Sequence, residues 1–242
     1  MLDGNGLVKT VAFDKQTYIG DPINAVKIFN DKEVDELVFL DIAASKENRT
    51  ISLEIVKEIG DEAYMPFAVG GGIKTSKDAV NLINAGAEKV VINTAFASNP
   101  LLVSEIADLL GSQSVIVSID VKKDWLGKYK AYINSGKKKL EQSPIELAQK
   151  AEKMGAGEIL INSISHDGQM QGYDLELIKQ ISAAVNIPVI ACGGAGKLNH
   201  LKEAVELGAH SVAAGSMFVY QGALKGVLIN YPSKAELIST FK

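Results

Sequence analysis

The stretch from Pro22 to Phe96 returns 122 residues later as Pro144 to Phe218, with no insertion between. Pro22-Ile23 falls on Pro144-Ile145, Glu36 on Glu158, Pro66 on Pro188, Gly71-Gly72 on Gly193-Gly194, and Gly86-Ala87 on Gly208-Ala209. Fifteen of these 75 positions are identical, where ordinary composition gives roughly five. A duplicated half-domain restricts the fold more than any single motif, because each element must then exist twice about a pseudo-two-fold axis. A site built from the repeated glycines should exist twice as well.

Nothing rich in Pro, Gly or Ser separates the halves, so the 242 residues read as one domain with half-repeats of about 1–114 and 115–242. The net charge of −4 argues against a nucleic-acid partner, which wants a basic surface. Cys192 is the lone cysteine, which excludes an internal disulfide and fits a reducing cytoplasm. The absence of an apolar run near 18 residues, or of a signal-type segment, sets the expectation of a cytoplasmic chain with no membrane partner.

Short β-branched runs alternate with amphipathic segments. Strands are expected at Glu36–Asp41, Pro66–Gly70, Lys89–Asn93, Val115–Asp120, Glu158–Asn162, Pro188–Cys192 and Ser211–Gly215. They are apolar on both faces, as parallel strands covered on both sides must be. Helices are expected near 22–31, 50–61, 75–85, 99–109, 143–154, 173–183, 198–206 and 233–241, with Asp21-Pro22, Asn99-Pro100 and Ser143-Pro144 as starts. The pattern is that of an α/β chain forming a (β/α)8 (TIM) barrel from two half-barrels. One strand is wanting: the twin of Val115–Val121 falls before Met1. Either the start is assigned too far downstream, or residues 7–13 substitute for the first strand.

In such barrels the site gathers at the C-terminal strand ends. Gly70-Gly71-Gly72 and Asn93-Thr94 stand there in the first half, and Gly193-Gly194 and Gly215-Ser216 in the second. Glycine lets backbone N–H groups approach an anion, so two opposed cradles suit a substrate with phosphate at both ends. Ser135, Asp167 and Gly168 belong to loops on the same face and are expected ligand-binding residues. Asp120 ends Val-Ser-Ile-Asp and is the expected acid/base, with Asp41 supplementing it and Lys9 reaching an anionic substrate from the first loop. The segment 165–169 is expected to be a mobile lid or a ligand loop, and Trp125 and Tyr129 are expected to pack within a long polar loop over 122–142. No metal-ligand spacing links His166, His200, His210 and Cys192, and neither metal nor cofactor is expected. Glu36, Lys89 and Glu158 begin their strands and are expected to ring the opposite opening, as a solvated bottom layer or as a gate.

Taken together, Asp-Glu-Leu-Val-Phe-Leu-Asp-Ile (35–42), Val-Gly-Gly-Gly-Ile (69–73), Gly-Ala-Gly-Glu-Ile-Leu (155–160), Gly-Tyr-Asp (172–174) and Gly-Gly-Ala-Gly (193–196) resemble the cyclase-subunit (HisF) family of imidazole glycerol phosphate synthase. The resemblance runs from Leu7 to the end of the chain. It implies a barrel that takes ammonia from a HisH-like glutaminase subunit docked at its bottom face and reacts it with a bisphosphorylated ribulosyl substrate. By the same resemblance Asp120 is one of two catalytic aspartates, Lys9 is the first-loop lysine, and Glu36, Lys89 and Glu158 are three of four gate residues.

This chain departs from the family's pattern at the other catalytic aspartate, which would fall at about Met1, and at Ser165, His166, Gln169 and Asn162. The run Gly20 to Asn30 is more similar to a branch associated with surface-polysaccharide genes, which implies ammonia delivery for amidination of a sugar. A half-barrel phosphosugar isomerase is the third reading.

Overall fold

The computed structural model describes residues 1–222 and 224–242. Seven parallel strands lie in one sheet: β1 (Leu37–Leu40), β2 (Phe67–Gly70), β3 (Lys89–Ile92), β4 (Val115–Lys123), β5 (Glu158–Ser163), β6 (Val189–Cys192) and β7 (Ser211–Ala213), paired in that order. Among the described residues, eight helices of eight residues or more accompany them: α1 (Pro22–Asp31), α2 (Leu53–Glu62), α3 (Ser76–Asn84), α4 (Leu101–Leu110), α5 (Pro144–Lys153), α6 (Leu175–Ser182), α7 (Leu198–Glu206) and α8 (Lys234–Phe241). Short helical turns at Thr94–Ser98 and Ser216–Val219 follow β3 and β7. Asp21 and Ser143 cap their helices as expected, accepting from the N–H groups of Asn24 and Glu146. Asn99 does not; α4 begins after Pro100 with no side-chain cap.

Side chains alternate between two environments along every strand, as the pleat requires. Phe67, Val69, Val90, Ile92, Val115, Val117, Ile159, Ile161 and Val189 join the large core beneath the helices. The residues between them (Val38, Leu40, Ala68, Val91, Ile116, Leu160, Ile190, Cys192 and Ala213) form a separate cluster drawn from all seven strands. Lys89 of β3 reaches both Glu36, just before β1, and Glu158 of β5, each two strands away, which requires the sheet to curl, so this second set is a barrel interior.

The C-terminal segment ties the sheet's two ends together. The Tyr231 hydroxyl donates to Asp35 at 2.6 Å, and Lys234 pairs with Glu33 at 3.1 Å, both just before β1.

Residues 7–13 do not substitute for a barrel strand. Gly6–Lys9 pairs antiparallel with Leu2–Asp3 and Thr17–Gly20 in a sheet of its own. Beside β1 lies Leu2, fully buried and joined by one parallel bridge to Asp41, with the Ile42 N–H donating to the Leu2 carbonyl at 3.0 Å.

The segment 122–142 is likewise no irregular loop. Strand β4 runs on to Lys123 and turns back through Tyr129–Ile133, which pairs with Lys138–Lys139. This ribbon is the repeat twin of the N-terminal sheet: a shift of 122 carries Gly6–Lys9 onto 128–131 and Thr17–Gly20 onto 139–142.

Candidate active site at the carboxyl ends of the strands

The inward positions read in layers along the barrel axis. At the strand starts the charged residues Glu36, Lys89 and Glu158 share the parity of Val38, Val91 and Leu160. They converge: Lys89 Nζ lies 2.9 Å from Glu158 Oε1 and 3.2 Å from Glu36. Burial opposes the Lys89 charge, and the hydrogen bonds and charges of Glu158 and Glu36 outweigh it, so its pKa is raised. Above this floor comes the apolar layer. At the top the same parity delivers Ser118, Asp120 and Asn162, all buried, together with Asn93.

Burial pushes the Asp120 carboxyl up to about 7; the charge of Asp167 adds to the rise, and a hydrogen bond from Asn93 offsets part of it. Asn93 Nδ2 donates to Asp120 Oδ2 at 3.2 Å and to the Ser118 carbonyl at 3.0 Å, which fixes the carboxyl's orientation. A carboxyl titrating near neutrality is suited to take and return protons. The Asn162 side chain points into the same space, and its Oδ1 has no hydrogen-bond partner.

Asp41 is differently placed. Its Oδ1 accepts from the Ala43 and Ala44 N–H groups at 3.0 Å each, and Arg49 bonds its Oδ2 at 2.5 Å. These bonds spend the carboxylate on holding the loop after β1, and leave it poorly placed to move protons.

A cavity of about 690 Å³ opens here. Of the expected site residues it is lined by Asp41, Gly71, Gly72, Asn93, Thr94, Asp120 and Ser135. Lys15, Lys46, Lys74 and Lys137 also line it, a cationic rim that suits an anionic ligand. Thr94 Oγ1 donates to Asn93 Oδ1 and accepts from the Asn134 N–H, both at 3.2 Å, and Ser135 Oγ donates to the Ile42 carbonyl at 3.1 Å. The lysine rim had no signal in the sequence, because its members come from four loops.

The second set of glycines does not line this cavity. A Cβ on Gly215 would meet Lys9 Nζ at 2.6 Å, so the Lys9 side chain lies over that cradle. Ser216 Oγ is buried without a partner. At Gly194 (φ 118°) a Cβ would stand 2.1 Å from the Gly172 carbonyl, and at Gly193 (φ 89°) 2.8 Å from Asn162 Oδ1. Gly72 (φ 65°) is tighter still, with the Arg49 carbonyl 1.8 Å from a Cβ. These glycines are needed for backbone packing whatever they bind.

Segment 165–169, expected to be a mobile loop, is a packed turn. Asp167 is buried and accepts from Thr10 Oγ1 at 2.7 Å, and Gly168 (φ 73°) fits under the Thr10 carbonyl, 2.3 Å from where a Cβ would sit. His166 Nδ1 is 2.8 Å from Ser163 Oγ. Cys192 faces the same interior, and burial, with Asp167 nearby, pushes its thiol up to about 11, so it is a poor nucleophile. Trp125 was expected to pack and does not; it is 90% exposed. Tyr129 does pack, donating to Asp174 at 2.6 Å.

Comparison with known proteins agrees with this geometry. The model of the histidine biosynthesis protein family matches residues 2–225. The chain belongs to that family. A Leptospira borgpetersenii protein provisionally named imidazole glycerol phosphate synthase subunit HisF is 45% identical over 243 residues, covering 100% of this chain and 96% of the relative. A Pseudomonas aeruginosa protein provisionally named subunit hisF2 is 47% identical over 238 residues, 98% and 95% of the two chains. The Pyrococcus furiosus imidazole glycerol phosphate synthase subunit HisF is 46% identical over 215 residues, 88% and 85%. Membership places the curled seven-strand sheet among α/β barrels and the chain among synthase-type subunits.

Proposed function

We propose that this chain is the synthase subunit of an imidazole glycerol phosphate synthase-type pair, fed with ammonia by a glutaminase subunit docked across the strand starts. The observation that carries the reading is the layered interior: a bridged charged floor, an apolar layer and a polar top ending at Asp120. Ammonia is small and neutral, so an apolar passage carries it, while a salt-bridged floor keeps ions out. At the top it meets a phosphorylated substrate whose phosphate sits against Gly71, Gly72 and Thr94 under the lysine rim, with backbone N–H groups and cations as donors. Asp120, oriented by Asn93, takes the proton that the attacking nitrogen loses and returns it to the departing group. Lys9, Gly193, Gly194, Gly215 and Ser216 hold the substrate's far end once the Lys9 side chain swings off Gly215 onto the anion.

The test is co-expression with a glutaminase subunit, followed by chromatography and by assays driven with glutamine or with ammonium salts. Lys89→Met should lower glutamine-driven turnover about tenfold while leaving ammonium-driven turnover within about twofold, because only the first route crosses the floor. No complex, together with no binding of a bisphosphorylated ligand, would overturn the proposal.

A second reading is ammonia delivery for amidination of an acetylated sugar. One observation favours it: Arg49 ties up Asp41. A stable glutaminase complex that forms no imidazole product from either nitrogen source would select it. A phosphosugar isomerase gives no reason for a bridged floor.

A further inference from the structure

The ribbon that extends β4 ends in a turn that presents its largest apolar side chains to solvent. Trp125 is 90% exposed and Leu126 58%. The turn is ordered: Asp124 Oδ1 accepts from the N–H groups of Leu126 at 2.9 Å and Lys128 at 3.0 Å, and the Gly127 N–H donates to the Asp124 carbonyl at 2.9 Å. The fold does not require these residues. Under the 122-residue repeat their twins are Asp3 and Gly4, which serve the equivalent turn with no apolar side chain.

Lysines surround the tip on both faces of the ribbon. Lys122 and Lys130 stand directly opposite each other on one face, and Lys123 and Lys128 flank the turn; the three lysines at 137–139 lie at the ribbon's other end, where Lys137 lines the cavity. Opposed like charges destabilise a ladder. Among the described residues none of these lysines has a carboxylate partner; Lys123 alone finds a stabilising neighbour, the Tyr129 ring 4.7 Å away. Between 122 and 130 there are four lysines and one aspartate, in a chain whose net charge is −4.

We propose that this tip is a peripheral membrane-docking element, seating Trp125 and Leu126 among the headgroups of an anionic bilayer while the lysines contact lipid phosphate. Two features select a bilayer over an acidic protein. The apolar pair sits on a convex apex, which enters a fluid layer without needing a shaped pocket. The cations form a collar round both faces, which a continuous anionic plane satisfies at once and a single protein surface does not. No helix of the described chain is long and apolar enough to cross a membrane, and a docking hairpin needs none. Because the ribbon continues the strand that bears Asp120, docking turns the cavity mouth toward the bilayer.

The experiment uses the full chain with vesicles of phosphatidylcholine, with and without phosphatidylserine, at physiological salt. Trp125 is the single tryptophan, so its emission reports the tip alone. The expected results are co-sedimentation with the phosphatidylserine vesicles only, a blue shift, and quenching by lipids brominated in the acyl chains. Lys122→Gln/Lys130→Gln should weaken partition about 30-fold. Trp125→Asn should weaken it about tenfold with the melting temperature unchanged, as the polar twin turn allows. No partition into anionic vesicles, or partition without shift or quenching, overturns the proposal. So does tighter binding to polyglutamate or to a single-stranded oligonucleotide, which would assign the ribbon to an acidic protein or a nucleic acid. Neither outcome bears on the glutaminase pairing.

Discussion

Asp120→Asn should stabilise the protein above neutral pH while abolishing its chemistry. The wild-type carboxyl is buried at the top of the barrel, and desolvation, with the charge of Asp167, lifts its pKa from 3.8 to about 7. The folded chain therefore holds a proton that the unfolded chain has released. The contribution of this group is complete below about pH 4 and is lost as pH rises to about 7. A shift of about three units corresponds to about 4 kcal/mol at most, at about 1.36 kcal/mol per unit. Relaxation and water entry reduce that, so about 1–3 kcal/mol is expected. Asparagine removes the ionisation and still accepts a hydrogen bond from Asn93, now 3.2 Å from Asp120 Oδ2. Urea unfolding of both proteins at half-unit steps from pH 4 to 8 measures this directly, because titrating groups not coupled to Asp120 cancel in the difference. The variant should gain on wild type steadily through that window and plateau above it. Asp167→Asn, which keeps an acceptor for Thr10, should move the midpoint of the gain downward by lowering the Asp120 pKa. Parallel stability curves for wild type and Asp120→Asn would refute the reasoning, since a carboxyl with an ordinary pKa contributes no slope between pH 5 and 8.

Lys89→Met should cost about 1–3 kcal/mol at pH 7, because it leaves Glu36 and Glu158 opposed on side chains only 34% and 21% exposed. The triple variant Glu36→Gln/Lys89→Met/Glu158→Gln should recover most of that loss in chemical denaturation; a triple no more stable than the single would mean the trio is merely solvated. As the Lys89 pKa is raised, the wild-type contribution persists until pH passes about 10.5. Gly72→Ala should lower the melting temperature by about 6 °C or more, its Cβ colliding with the Arg49 carbonyl at φ 65°. Gly215→Ala should melt within about 3 °C of wild type, as only the flexible Lys9 must move, which makes it the cleaner probe of the second cradle. Equal damage from the two would show that Lys9 is as fixed as backbone.

Much of the framework was legible from the sequence because burial on both faces writes an uninterrupted apolar run, as in Val115–Val117 and Ile159–Ile161. The repeat then fixed which strand was which. The ribbon after β4 was not legible. Only Val121, Ala131 and Ile133 mark its buried face, and seven lysines mask the alternation. In the site, Asp120 was legible from its position at a strand end. The lock on Asp41 was not, because Arg49 arrives from the loop eight residues on. The glycines were ambiguous for a different reason. Sequence shows that a Cβ is absent but not what fills the space, and at Gly72 and Gly194 a neighbouring carbonyl does.

The two halves share a fold plan without sharing a site, and one exchange of volume across the repeat accounts for much of the difference. Lys9 and Gly215 are the repeat twins of Ala131 and Asn93. At the second half's strand end the first half's antiparallel excursion lays the long Lys9 side chain over Gly215. The second half's excursion carries only the Ala131 methyl at the twin position, and the first half's strand end carries its own amide, Asn93, which turns inward to Asp120. The Asn93 end leaves an open cavity with a positioned acid, and the Gly215 end leaves a cation parked where an anion would sit. A cation resting on a glycine is displaced by an anion at little cost, because Lys9 is long, flexible and makes no ion pair among the described residues. Under the proposed function this asymmetry separates labour along a symmetric scaffold: the cavity beside Asn93 takes the reacting end of a substrate, and the Gly215 side recruits its charged far end. Reversing the exchange tests this. Lys9→Ala should leave the phosphate affinity of the first cradle within about twofold, yet weaken a bisphosphate about tenfold or more, by loss of one charged contact. Equal weakening of mono- and bisphosphate ligands in calorimetry would place Lys9 at the first cradle and remove the division.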